Sequence, residues 1–189
     1  MKNRLKIASA LAVGGMAVVA GPSTLAWATA QTGSASSLPP EVLSPLAGQV
    51  TSSGCPASAL SDWGVLVFSS GNTVNHDSSN KNGDWGGGTI EGNATITLYT
   101  NAPADPSDPS SLPTGQDPSF GPFTGHLTEW FGGGNNSRGQ GEGGFTFSFH
   151  GVSANGMTVD VQQHGHQTSS AANGGTPTAN VGGGSITCS

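Results

Sequence analysis

Two histidines separated by a single residue, His164-Gly165-His166, form the sharpest chemical pattern in the chain. On a strand, residues i and i+2 point the same way, which sets such imidazoles roughly 6–7 Å apart. That spacing can supply two ligands to Zn²⁺ or Cu²⁺, with a third ligand required from a neighbouring strand. No nearby Cys or carboxylate completes a metal-binding spacing, so an exposed polar strand end is the alternative. His150 and Asp160 make a second pairing of types. A carboxylate beside an imidazole orients it and raises its pKa, as acid–base sites require, and Ser148 is the nearest hydroxyl. No Gly-x-Ser-x-Gly elbow leads into a helix here, which favours an ordinary surface pair over a catalytic dyad.

The aromatic residues suggest binding rather than catalysis. Trp63, Trp85, Trp130 and Tyr99 stand apart from the phenylalanine-rich stretch, and Trp130 shares its side of a strand with His126 and Thr128. Indoles flanked by Thr, Asn and Gln suit a sugar-binding face, through stacking and hydrogen bonds. The competing assignment puts Trp63 in the core and Trp130 over a second layer. The Pro-rich segment 101–122 carries Asp105, Asp108 and Asp117, but lacks the acidic spacing, the Gly and the closing Glu of a calcium loop. The tract 132–139 has no Lys-Ser/Thr and no following helix, so it reads as a flexible hairpin tip rather than a phosphate loop. Asn93-Ala94-Thr95 and Asn135-Asn136-Ser137 match the glycosylation acceptor pattern, which matters only in a glycosylating host.

The elements that must position these residues are strands. The chain has 189 residues, 31 of them Gly, and only 8% are charged, a composition short of helix-forming surface residues. Five basic residues cannot supply a phosphate-tracking patch, which excludes an ordinary nucleic-acid binder. Trp63–Phe68 is a continuous apolar run; 88–100, 122–131, 145–150 and 157–164 alternate apolar and polar; a last strand covers 181–188.

Asn155-Gly156 marks a turn between two of these strands. A two-residue loop would put the Phe and Val sets on opposite sides of the ribbon. A three-residue loop, 154–156, with Gly156 in the left-handed region pairs Ser153 with Met157 and brings Phe147, Phe149, Val159 and Val161 to one side. The apolar pattern therefore selects the longer loop. It places His150 opposite Asp160, Thr146 opposite His164 and Gly144 opposite His166, on a polar second face.

The N-terminus carries Lys2, Arg4 and Lys6, an apolar run over 7–20, and small residues ending in Ala26-Trp27-Ala28 or Ala28-Thr29-Ala30. This is the pattern of a secretory signal peptide, residues 1–28 with cleavage possible to 30. The apolar run is short for a membrane span, so no membrane association is expected after cleavage. Cleavage leaves Lys81 and Arg138 against 11 acids, a net charge of −9. In an exported chain, Cys55 and Cys188 read as a disulfide.

These readings combine into residues 29–46 as a flexible Ser/Pro-rich lead-in and 47–189 as one all-β domain. The domain is expected to be an antiparallel β-sandwich, with a small up-and-down barrel as the alternative, closed by Cys55–Cys188. The expected function is a secreted, non-catalytic module binding a cell-surface glycan or protein through Trp130, His126, Trp85, His150 and Asp160. The alternatives are a metal-binding protein or metal-dependent enzyme using His164 and His166 for Zn or Cu, without any other cofactor, and a small-molecule carrier with its ligand in a barrel lumen.

Overall fold

The computed structural model describes residues 27–46, 49–105, 108, 110–116, 121–170 and 177–189. Ten strands follow in order: β1 (Trp27–Ser34), β2 (Glu41–Leu43), β3 (Thr51–Ser53), β4 (Trp63–Asn80), β5 (Gly83–Asn101), β6 (Thr114–Gln116), β7 (Phe123–Asn136), β8 (Gln140–Ser153), β9 (Thr158–Ser170) and β10 (Pro177–Cys188). A one-turn helix α1 (Ala57–Ser61) and a 3-10 turn over Ala35–Ser37 interrupt them. All strands join one sheet with the order β1-β4-β5-β7-β8-β9-β10-β3, while β2 pairs with β4 and β6 with β5. The sheet is open, and every pairing is antiparallel except the short β10–β3 ladder. The all-β expectation holds. Cys55 and Cys188 are disulfide-bonded, 133 residues apart in sequence. Among the described residues no helix is long and apolar enough to cross a membrane.

The central hairpin adopts the register chosen by its apolar pattern. Phe149 faces Val161 and His150 faces Asp160. Ser153 N donates to Met157 O at 2.9 Å, and Gly156 lies at φ +86. A side chain at Gly156 would be strained at that angle, which is why the loop takes a glycine there.

One face of the sheet carries the core. Leu66, Phe68, Ile90, Ala94, Ile96, Phe123, Leu127, Phe147, Phe149, Val159, Val161 and Ile186 are all buried. A bulge between Phe68 and Ser70 adds one residue to β4, so the inward set switches from Leu66 and Phe68 to Gly71 and Thr73. The core rings lie over glycines. A Cβ placed at Gly151 would stand 2.5 Å from Phe149 ring atoms and 3.2 Å from Phe123 Cβ. Both rings are fully buried and have nowhere to move. Gly151→Ala is therefore expected to lower the unfolding free energy by about 1–3 kcal/mol in urea titration. Phe149→Leu in the same chain should recover part of that loss, because the two changes share one space.

Two segments depart from the sequence expectations. Residues 29–46, expected as a flexible lead-in, carry most of β1, the 3-10 turn and β2, so the folded unit extends upstream of residue 47. β1 pairs with Asn72–Ser79 and β2 with Gly64–Leu66, both on the edge of β4 that β5 leaves free. That edge offers a row of unpaired N–H and C=O groups, and Ala35, Leu38, Leu43 and Leu46 add apolar contact with the core. The tract 132–139, expected as a flexible tip, is strand as far as Asn136. Its turn is held by Asn136, whose Oδ1 accepts from Arg138 N and Gln140 N at 2.9 and 3.0 Å. Residues 1–26 of the expected signal peptide lie outside the described residues, as do Asp117 and the side chain of Trp27.

Candidate binding face

The face opposite the core is open to solvent across β5, β7, β8 and β9, and the registers resolve it into rows. One row reads Asn93, His126, His150, Asp160; the next Glu91, Thr128, Ser148, Gln162; the third Thr89, Trp130, Thr146, His164. Beyond them come Gly87, Gly132, Gly144, His166, and then Trp85, Gly134, Glu142, Thr168. Successive rows are about 7 Å apart, two residues of strand rise. Simple alternation produces this surface: each inward Phe, Leu or Ile sends its neighbours outward.

The five residues expected to bind are all on this face. His126 lies directly opposite His150, so the two pair across adjacent strands. His150 Nδ1 donates to Asp160 Oδ1 at 2.6 Å, with 63% and 53% of the two side chains exposed. His126 Nε2 is 3.4 Å from Glu91 Oε1. Solvent screening leaves such exposed pairs little energetic weight. Ser148 is one row from His150 on open strand, where nothing excludes water from a nucleophile.

Trp130 is 43% exposed and Trp85 47%. Their indoles lie against the sheet over glycines. A Cβ at Gly132 would stand 3.0 Å from Trp130 Cζ2, and one at Gly134 would stand 2.8 Å from Trp85 Cε3. Because Gly132 and Gly134 are two apart on β7, the rings occupy neighbouring rows.

His164 and His166 share the face as their spacing required, but their rings lean apart. The His164 ring reaches to 3.7 Å from where a Gly183 Cβ would be, on the β10 side. The His166 ring stands 3.7 Å from the corresponding point at Gly144, on the β8 side. Among the described residues no group of three or more His, Cys, Asp or Glu is placed to hold a metal ion. His150 is two rows from His164, roughly 13 Å by strand rise, too far to share an ion. In the 101–122 loop, the Asp108 carboxylate accepts from Ser110 N and Oγ at 2.9 and 2.7 Å.

The inward face holds a group that residue-type reasoning passed over. Glu129 is only 5% exposed, between Ile90 and Phe147 on the neighbouring strands. Burial, and secondarily the carboxyl of Glu41, push its pKa up from an ordinary 4.5 to about 7. Glu41 on β2 is itself raised by burial. The described cations cannot compensate this pair, since Lys81 and Arg138 sit in the turns after β4 and β7. The signal was present in the sequence: Glu129 has the parity of Phe123, Leu127 and Phe131 and must point inward with them. Near this end of the sheet a shallow open depression of about 440 Å³ is lined by Thr32, Gly33, Ser34, Asn72, Thr73 and Val74, none of them titratable.

No protein-family model, curated protein or solved structure matches the chain.

Proposed function

We propose that the protein is a secreted, non-catalytic extracellular module that binds a cell-surface polymer or protein through the outward face of β5, β7, β8 and β9. One observation carries the reading: Trp85 and Trp130 are nearly half exposed on one polar face, in a chain that buries Phe123, Phe147, Phe149 and Phe68. Large rings left in water on a patch bordered by Thr and His are the usual anchors of a recognition surface. The leader-like N-terminus and the Cys55–Cys188 disulfide support an oxidising, exported setting. The Phe and Val side of the sheet packs as core, which favours the face over a lumen as the place for a ligand.

Sedimentation of the purified chain with intact cells and with isolated wall material tests the reading. Trp130→Ala is expected to weaken retention about tenfold, with the unfolding midpoint nearly unchanged because the ring is exposed. Equal retention of the Trp85→Ala/Trp130→Ala chain and the wild type would refute the face. The metal reading rests on the shared face of His164 and His166, and elemental analysis of the dialysed chain and of His164→Ala tests it.

A further inference from the structure

We propose that the ligand of this face is an uncharged, extended polysaccharide, lying over Gly132 and Gly134 with the indoles of Trp130 and Trp85 as its two platforms. The inference rests on the reading of this face as the binding surface and names what it binds. Three observations lead to it.

The first is shape. Each indole lies low over a glycine, and Gly144 clears the neighbouring strand, where a Cβ would stand 3.8 Å from Trp130 Cζ3. Rings held this close to the strands fill the space over their glycines and still leave nearly half of each side chain in solvent, a broad apolar surface. A flat sugar ring stacks on such a platform, whereas a peptide hot-spot residue needs a cavity to fill. The two platforms are about one row, roughly 7 Å, apart along β7, close enough for one oligosaccharide to span both.

The second is charge. The face carries the carboxylates of Glu91 and Asp160, each beside an imidazole, His126 and His150. Glu142 stands beside Gly134 and adds negative charge near Trp85. The chain as a whole carries −6, and Lys81 and Arg138 sit in turns rather than on the face. A polyanion would meet repulsion here with no described Lys or Arg on the face to pair with, and the two indoles need only an uncharged sugar face to stack on.

The third is the fringe. Thr89 and Thr146 flank Trp130 on its own row, with His164 beyond Thr146 and His166 beyond Gly144, all polar groups that both donate and accept. Sugar hydroxyls also do both, and such a border reads them without a fixed charge.

Affinity gel electrophoresis of the full chain tests the inference at constant ionic strength. The gels contain hydroxyethylcellulose, glucomannan or soluble glycol chitin as neutral polymers, and polygalacturonate or alginate as polyanions. The expected result is retardation in at least one neutral gel and none in the polyanion gels. That retardation should weaken about tenfold in Trp130→Ala and be abolished in Trp85→Ala/Trp130→Ala. Trp130→Phe, which keeps a smaller platform, should retain part of it.

Retardation by the polyanions alone, lost in the Trp variants, would overturn the neutral-glycan assignment while leaving the binding face in place. Trp-dependent retention on wall protein with no polysaccharide binding would overturn it in the same way. Trp-independent binding, or none to cells, wall material and every gel, would overturn both readings.

Discussion

Raising the pH from 4 to 8 is expected to destabilise the native sheet by about 3 kcal/mol, and Glu129→Gln is expected to remove most of that loss. Glu129 is 5% exposed, and burial together with Glu41 raises its carboxyl from 4.5 to about 7. Between about pH 4.5 and 7 the folded state therefore holds a proton that the unfolded chain has released. Linkage fixes the sign. Stability from this group is fully present below the unfolded value near 4.5, falls as pH rises, and is exhausted above the folded value near 7. At 1.36 kcal/mol for each pH unit of difference, the window corresponds to about 3 kcal/mol. Glu41, raised in the same direction, steepens the fall.

Glutamine keeps the shape of the protonated acid and never ionises. Wild type and Glu129→Gln should therefore have similar urea midpoints at pH 4, with the variant clearly ahead at pH 8. A wild-type midpoint that does not change between pH 4.5 and 7 would show that Glu129 ionises freely and that its burial is not maintained. Glu41→Gln provides an internal control. It removes the smaller of the two influences on Glu129, so it should flatten the pH dependence less than Glu129→Gln does.

The same residue shows where sequence reading succeeds and where it stops. The register of the β8–β9 hairpin was legible because a one-residue slip would have exposed either the Phe set or the Val set, a large penalty for a sheet with one dry face. That single choice placed His150 against Asp160, and it put His164 and His166 on the outward side with Trp130. Glu129 was equally legible by parity, but a carboxylate is ordinarily assigned to water by type. The alternation of β7 overrides type, because Leu127 and Phe131 cannot face inward without it.

What could not be read was non-local. Residues 29–46 contain too little apolar periodicity to announce a strand. β1 exists because β4 offers it an unpaired edge over Asn72–Ser79. The bulge at Ser69 and the continuation of β5, β7 and β8 through Gly-rich sequence have the same origin. There the ladder partners, not side-chain propensity, make the strand. The lean of the His164 and His166 rings toward opposite neighbours depends on which flanking glycines leave space, Gly183 on one side and Gly144 on the other. No spacing rule carries that information.

Removing the Cys55–Cys188 bridge is expected to have the largest effect of any change considered. The bond spans 133 residues, from just after β3 to the end of β10, so the oxidised unfolded state contains a large closed ring. The chain-entropy relation gives about 4–5 kcal/mol for a loop of this size. For a chain of this length that amounts to roughly 10–20 °C in the unfolding midpoint.

The bridge also acts locally in the folded state. It joins the segment after β3 to the end of β10, where Ser185–Thr187 pair in parallel with Thr51–Ser53, the one parallel ladder among the described residues. β3 is exposed along its length, and beside this ladder Thr51 Oγ1 donates to Gly184 O at 3.3 Å. Reduction should therefore act in two stages. β3 and α1 detach first, seen as faster amide exchange at Thr51–Ser53 and Ser185–Thr187 while the β7–β8–β9 core stays protected. Global unfolding then follows at the lower midpoint. The Cys55→Ala/Cys188→Ala chain should reproduce both stages without reductant. Coincident midpoints for the oxidised and reduced chains would refute the stabilising role. Loss of core protection at the same rate as β3 would refute the sequence of events, because it would mean that the short parallel ladder and the antiparallel core open as one unit.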